Sequence, residues 1–254
     1  LLILRNLVNP VNFFVNLNKL FFMRRLKYCI PLVLALVACG DGGKATVLHY
    51  AEQEPGGEPF RTRMIVTARY LRIDEGVESK DFLLFDRREK ILYSVNAADT
   101  RILAMSAKPV NIASPIKLEH RVERDNETFP AVAGKKVAHY TLLTNRKPCY
   151  DLFAAEGMLP EAVQALREYR EMLAGQQVAA LSAMPKELQT PCDLANNIFA
   201  PARYLDYGLP VRLSETGVRT SELVDFQTDF NAVPGLFELP ASFRRLTLEE
   251  MRDR

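Results

Sequence analysis

The stretch from Met23 to Cys39 constrains this chain before any strand or helix is considered. Arg24, Arg25 and Lys27 make a positive start, and an apolar run from Cys29 through Ala38, interrupted by Pro31, ends in Leu36-Val37-Ala38-Cys39. Charge, then a short apolar stretch, then a small residue is the order of a secretory signal. The run is too short for a bilayer span, which takes roughly 20 apolar residues. A Leu three positions before the Cys, with the small Ala38 directly ahead of it, fits a lipidation motif. The Cys39 thiol would take a diacylglyceryl group and become the first residue of the mature chain. Gly40-Asp41-Gly42-Gly43 then reads as a flexible tether. The rest of the chain is thereby expected to fold outside the cytoplasm, held to a membrane through its lipid.

Four segments follow. Residues 1–22 are rich in Leu, Phe and Asn, lack a Met and precede a complete signal, which suits an upstream extension before a true start at Met23. Residues 23–38 are the signal, 39–60 the lipidated tether and a first strand, and 61–254 a single α+β domain with a helical insert at about 155–207. The whole-chain charge of +2 conceals an asymmetry, because the first 38 residues hold Arg5, Lys19, Arg24, Arg25 and Lys27 and no acid. What remains has 28 basic and 31 acidic residues. A mildly acidic body has no electrostatic footprint for nucleic acid.

Of the four cysteines, Cys29 leaves with the signal and Cys39 is consumed by lipid. Cys149 and Cys192 remain, and an even remainder in an oxidising compartment reads as one disulfide. A metal site would want further ligands nearby, whereas His49, His120 and His139 are scattered. Neither a metal nor a cofactor is expected.

Strand-like segments recur at short spacing: 63–73, 81–86, 90–95, 101–106, 116–122, 136–143 and 149–154, with short polar connections such as Asp86-Arg87-Arg88-Glu89. The period then changes. From Pro160, a favoured first helical residue, Val163, Leu166, Tyr169 and Leu173 fall on one helical face. That helix is expected to run to Leu181, weakened at Gly175, with a second from Cys192 to Tyr204. Strands resume at 211–214, 222–228 and 236–239, and a short helix starts at Leu248. Strands, a helical insert and further strands suit one antiparallel sheet with helices on one face.

Tyr70-Leu71-Arg72-Ile73-Asp74, Leu84-Phe85-Asp86-Arg87, Lys90-Ile91-Leu92-Tyr93-Ser94-Val95, Gly208-Leu209-Pro210-Val211-Arg212 and Leu236-Phe237-Glu238-Leu239-Pro240-Ala241 share a strand-and-turn grammar. It resembles that of the LolA/LolB lipoprotein-carrier fold and of uncharacterised bacterial lipoproteins thought to share it. The resemblance implies a strongly curved half-barrel sheet with the insert on its concave face, and a cavity for acyl chains. The long insert between the cysteines departs from it. By resemblance to enterobacterial sorting rules, Gly40 after the Cys points to the periplasmic face of the outer membrane.

No G-x-S-x-G elbow, P-loop, G-x-G-x-x-G or H-E-x-x-H occurs, so no catalytic residue is assigned and an enzyme is not expected. The leading reading is an envelope lipoprotein that binds a hydrophobic ligand, an acyl chain or a lipoprotein, or another envelope component. Its expected ligand site lies between sheet and insert, lined by Val163, Leu166, Tyr169, Leu173, Met64, Val66 and Leu84. The alternative is a structural or signalling module that recognises a protein and has no cavity; a hydrolase ranks third.

Overall fold

Lys44–Gln53 (β1) opens the described chain with alternating burial, and it sits at the centre of the fold. The computed structural model describes residues 44–181 and 189–252, so the signal, Cys39 and the upstream extension lie outside the described residues. Eight strands follow β1: Phe60–Val66 (β2), Tyr70–Asp74 (β3), Phe82–Asp86 (β4), Ile91–Asn96 (β5), Arg101–Ser106 (β6), His120–Arg124 (β7), Val137–Thr144 (β8) and Lys147–Ala155 (β9). The helix α1 spans Pro160–Leu181. A single α-turn, Pro191–Leu194 (α2), runs into a π-helical segment, Ala195–Phe199, and a 3-10 turn follows at Arg203–Tyr207. Leu209–Glu215 (β10), Arg219–Asn231 (β11), Arg244–Thr247 (β12) and Leu248–Arg252 (α3) complete the chain.

The strands form one large, curved sheet in the order β12-β6-β5-β4-β3-β2-β1-β11-β10-β9-β8-β7. Every pairing is antiparallel except that of β12 with β6, which is parallel. Successive side chains of a strand point to opposite faces, and adjacent residues of β4 show the consequence. Phe85 is buried in the main core beneath α1, whereas Leu84 is buried on the other face with Phe82, Val95 and Ile102. That second face is covered by the irregular segment 232–243. Phe237 stacks on Tyr70 at 5.4 Å, and the Leu236 carbonyl accepts a hydrogen bond from Arg72 Nη1 at 2.8 Å. Arg72 and Arg63 both pair with the buried Asp74, at 2.7 and 2.8 Å.

Several sequence expectations change here. The segment 63–73 is not one strand but the facing ends of β2 and β3, joined at Thr67, whose Oγ1 accepts the amide of Tyr70 at 2.9 Å. The strand expected at 236–239 is instead irregular cover, its apolar residues spent on packing against the sheet. The helix expected from Cys192 to Tyr204 breaks into an α-turn, a π segment and a 3-10 turn. The strand expected at 116–122 starts later, at His120.

Candidate functional site

The helix α1 packs on the face opposite the 232–243 cover and touches β2, β3 and β10. Its contact side is wider than the four-residue stripe expected from the sequence: Ala162, Ala165, Leu166 and Met172 are buried, with Val163, Tyr169 and Leu173 packed half-buried against the same core. Small alanines let the helix sit close to the sheet. Six of the seven residues expected to line a cavity meet in one packed core: Leu166 and Val66 are buried in it, and Met64, Val163, Tyr169 and Leu173 pack half-buried against it. Leu84 is on the opposite face.

An open groove of about 640 Å³ lies instead along the other flank of α1. Arg167, Glu168, Glu171 and Met172 form its helical wall, and Lys108, Pro109 and Val110, after β6, form the second. The third runs from Ile198, near the end of the π segment, to Arg203. One end is fixed by close contact. A Cβ at Gly175 would fall 1.9 Å from the Lys108 carbonyl oxygen, and Gln176 Nε2 donates to the Ser106 carbonyl at 2.5 Å. The glycine that looked like a helix weakness is the point where the backbone after β6 meets the helix.

The rim is charged. Glu168 takes Arg87 and Lys90 at 3.1 Å each, and Arg167 pairs with Asp206 at 2.7 Å. Glu168 is held below its ordinary range, because these cations and Gln164 outweigh the burial that pushes it up. Lys108 is exposed and has no ion pair among the described residues. Half-buried Val110 and Phe199 supply apolar surface beneath this rim, with buried Met172 and Ile198 behind them.

A buried polar network holds the third wall. Arg170 Nη2 donates to the Asn196 carbonyl at 2.8 Å and its Nε to the Pro201 carbonyl at 3.2 Å. Arg203 donates to Thr144 Oγ1 at 2.7 Å and to Asn196 Oδ1 at 3.0 Å, while Asn196 Nδ2 donates to Glu215 Oε1 at 3.1 Å. Burial, and then the Arg203 charge, hold His120 below the ordinary histidine value. Burial pushes the Tyr169 hydroxyl up to about 12, so that phenol stays neutral. The network depends on the π turn, which neither periodicity nor a motif reveals in the sequence.

Cys149, buried in β9, and Cys192 of α2 are bonded, with S–S 2.06 Å and Cα–Cα 5.3 Å. The bond ties the segment after α1 to the sheet. His139 on β8 carries a carboxylate on each ring nitrogen: Asp125 on Nδ1, and Asp151 on Nε2 at 2.9 Å. Its ring stacks on Phe153 with centroids 4.4 Å apart, and Phe129 from the 125–136 connection meets Phe153 edge-on at 5.1 Å. This arrangement fastens that connection to the sheet. Among the described residues no helix is long and apolar enough to cross a membrane.

No protein-family model matches the chain, and no curated protein matches it. Solved structures do. An uncharacterized conserved protein from Thermus thermophilus is 9% identical with a TM-score of 0.42, over 80% of this chain and 90% of that one. PNGF-II is 10% identical with a TM-score of 0.40, over 83% of this chain and 32% of that one. MucB in the Pseudomonas aeruginosa MucA/MucB complex is 11% identical with a TM-score of 0.38, over 82% of this chain and 60% of the matched chain.

Proposed function

We propose that this chain is a non-enzymatic, lipid-anchored protein of the cell envelope that holds an anionic amphiphile in the groove beside α1. The observation that carries the reading is the composition of that groove, an apolar floor of Met172, Val110, Ile198 and Phe199 under a rim that includes Lys108, unpaired among the described residues. Its volume of about 640 Å³ suits a small ligand. Each 100 Å² of alkyl surface hidden there contributes about 2.5 kcal/mol, and a carboxylate or phosphate head would meet Lys108 at the edge. The envelope assignment rests on the Met23–Cys39 motif, and a disulfide between Cys149 and Cys192 agrees with an oxidising compartment.

The chain contains no tryptophan, so Ala107→Trp at the exposed groove edge gives a single fluorophore. Titration with laurate is expected to shift its emission to the blue and saturate at one ligand per chain, with Lys108→Glu weakening the complex. An emission spectrum that laurate leaves unchanged would count against the groove as the site.

A further inference from the structure

The strand β11 is thirteen residues long, yet β10 pairs with only its first four, Arg219–Glu222. On its other side β11 follows β1 to the end, from Thr220 opposite Gln53 to Asn231 opposite Lys44. The sheet therefore splits. After Glu222, β10 departs through Pro210, which has no amide hydrogen to add to a ladder, and through an extra residue at Val211 in its register with β9. The Tyr50 hydroxyl donates to the Pro210 carbonyl at 2.9 Å and closes the apex of the split on the α1 face. Beyond that apex, Leu223–Asn231 has no strand on the β10 side among the described residues.

We infer that this open edge of β11 receives an extended segment of another polypeptide, basic in character, which adds a strand to the sheet inside the split. The backbone argument is chemical: the edge bulges at Val224 and again at Thr228–Asp229, where Asp229 has φ 57°, and between these bulges its amide and carbonyl groups are matched by another backbone in the extended state. The Phe226 amide donates to the side chain of Asp225 at 2.8 Å, a local contact that a strand carbonyl can replace. Leu223 and Phe226 pack half-buried against the main core, and Val224 is 51% exposed, so apolar side chains flank the edge. The charge argument selects the partner. Asp225, on the open edge, is an exposed acid with no ion pair among the described residues; Glu222, at the apex, stands opposite Arg212 of β10, and Asp229 is matched by Lys44 at 2.9 Å. Symmetric pairing with a second copy about Gln227 would bring the bulge at Thr228–Asp229 into the ladder twice and set Asp225 near Asp229 each time, and like charges opposite one another destabilise a ladder. A foreign segment carrying Lys or Arg meets no such repulsion.

The test is hydrogen–deuterium exchange on the mature lipidated chain in neutral detergent. The probes are a nine-residue peptide of alternating lysine and valine and its glutamate counterpart. The lysine peptide is expected to slow exchange at Leu223–Phe230, and the glutamate peptide to leave it unchanged. Glu222→Lys and Asp225→Lys, both on exposed positions, are each expected to weaken the complex roughly two- to fivefold. Val224→Pro removes a donor at a bulge residue without a β1 partner and is expected to abolish protection, while laurate binding in the groove persists. Three results would overturn the inference: no protection by the lysine peptide, equal protection by both peptides, or a β11 edge already protected in the peptide-free protein, as a dimer or by its own chain.

Discussion

His139 shows how one side chain can set the pH response of a whole connection. Burial lowers its pKa, but hydrogen bonds and charge from Asp151 and Asp125 outweigh that, and the net shift is upward. The stability it contributes is therefore fully present below about pH 6.5, the unfolded histidine value, and is lost as pH rises through the higher folded value. Asp125 shifts the other way, its carboxyl lowered chiefly by the bond to His139, so its share is lost at the acid end. Thermal melts of the protein and of His139→Gln are expected to differ most at about pH 5–6 and to converge in alkaline buffer. A difference that grows with pH would contradict the clasp. At Gly175 the issue is space. Alanine would gain about 1 kcal/mol of helix propensity, but its Cβ would meet the Lys108 carbonyl at 1.9 Å, and overpacking costs typically about 1–3 kcal/mol. Gly175→Ala is expected to lower the melting temperature and to widen the closed end of the groove; a higher melting temperature would show that the contact yields easily.

Among the elements, the disulfide closes 43 residues of separation, and removing such a link costs up to about 4 kcal/mol in the chain-entropy model. A Cys149→Ala, Cys192→Ala double variant is expected to melt earlier in denaturant yet keep its far-ultraviolet strand signal, because β9 retains β8 and β10 as partners. Loss of that signal would mean the bond is needed for the sheet itself. The sequence made this pairing readable through cysteine count alone, and it made α1 readable, with both ends at Pro160 and Leu181, through period and proline. The strands β4 to β6 were equally legible because short polar turns separate short apolar runs. Other elements were not. The contact face of α1 includes Ala162 and Ala165, which carry little hydrophobic signal. Leu84 and Phe85 read as equivalent apolar neighbours until both faces of the sheet are known to be covered, so nothing in the sequence shows that Leu84 turns away from the helix. The groove was hidden for a related reason: Arg167 and Glu171 look like solvent-facing neighbours of the stripe, and they become a wall once 107–110 and 198–203 close around them.

At the scale of the whole molecule, α1 bridges a sheet that is continuous from β12 to β11, while four residue pairs join β11 to the limb formed by β10, β9, β8 and β7. The buried Arg170 and Arg203 network lies near that junction and fixes the turn that walls the groove. Groove and open β11 edge are thus separate consequences of one architecture, the first suited to a small amphiphile and the second to a polypeptide. The most direct test of the ligand reading is native mass spectrometry of the protein purified from the cells that make it, with Ala200→Trp as the groove-filled comparison. The account predicts one bound amphiphile per chain in the native protein and none in the variant. An unliganded native protein, or an adduct that the groove-filled variant retains equally, would contradict it.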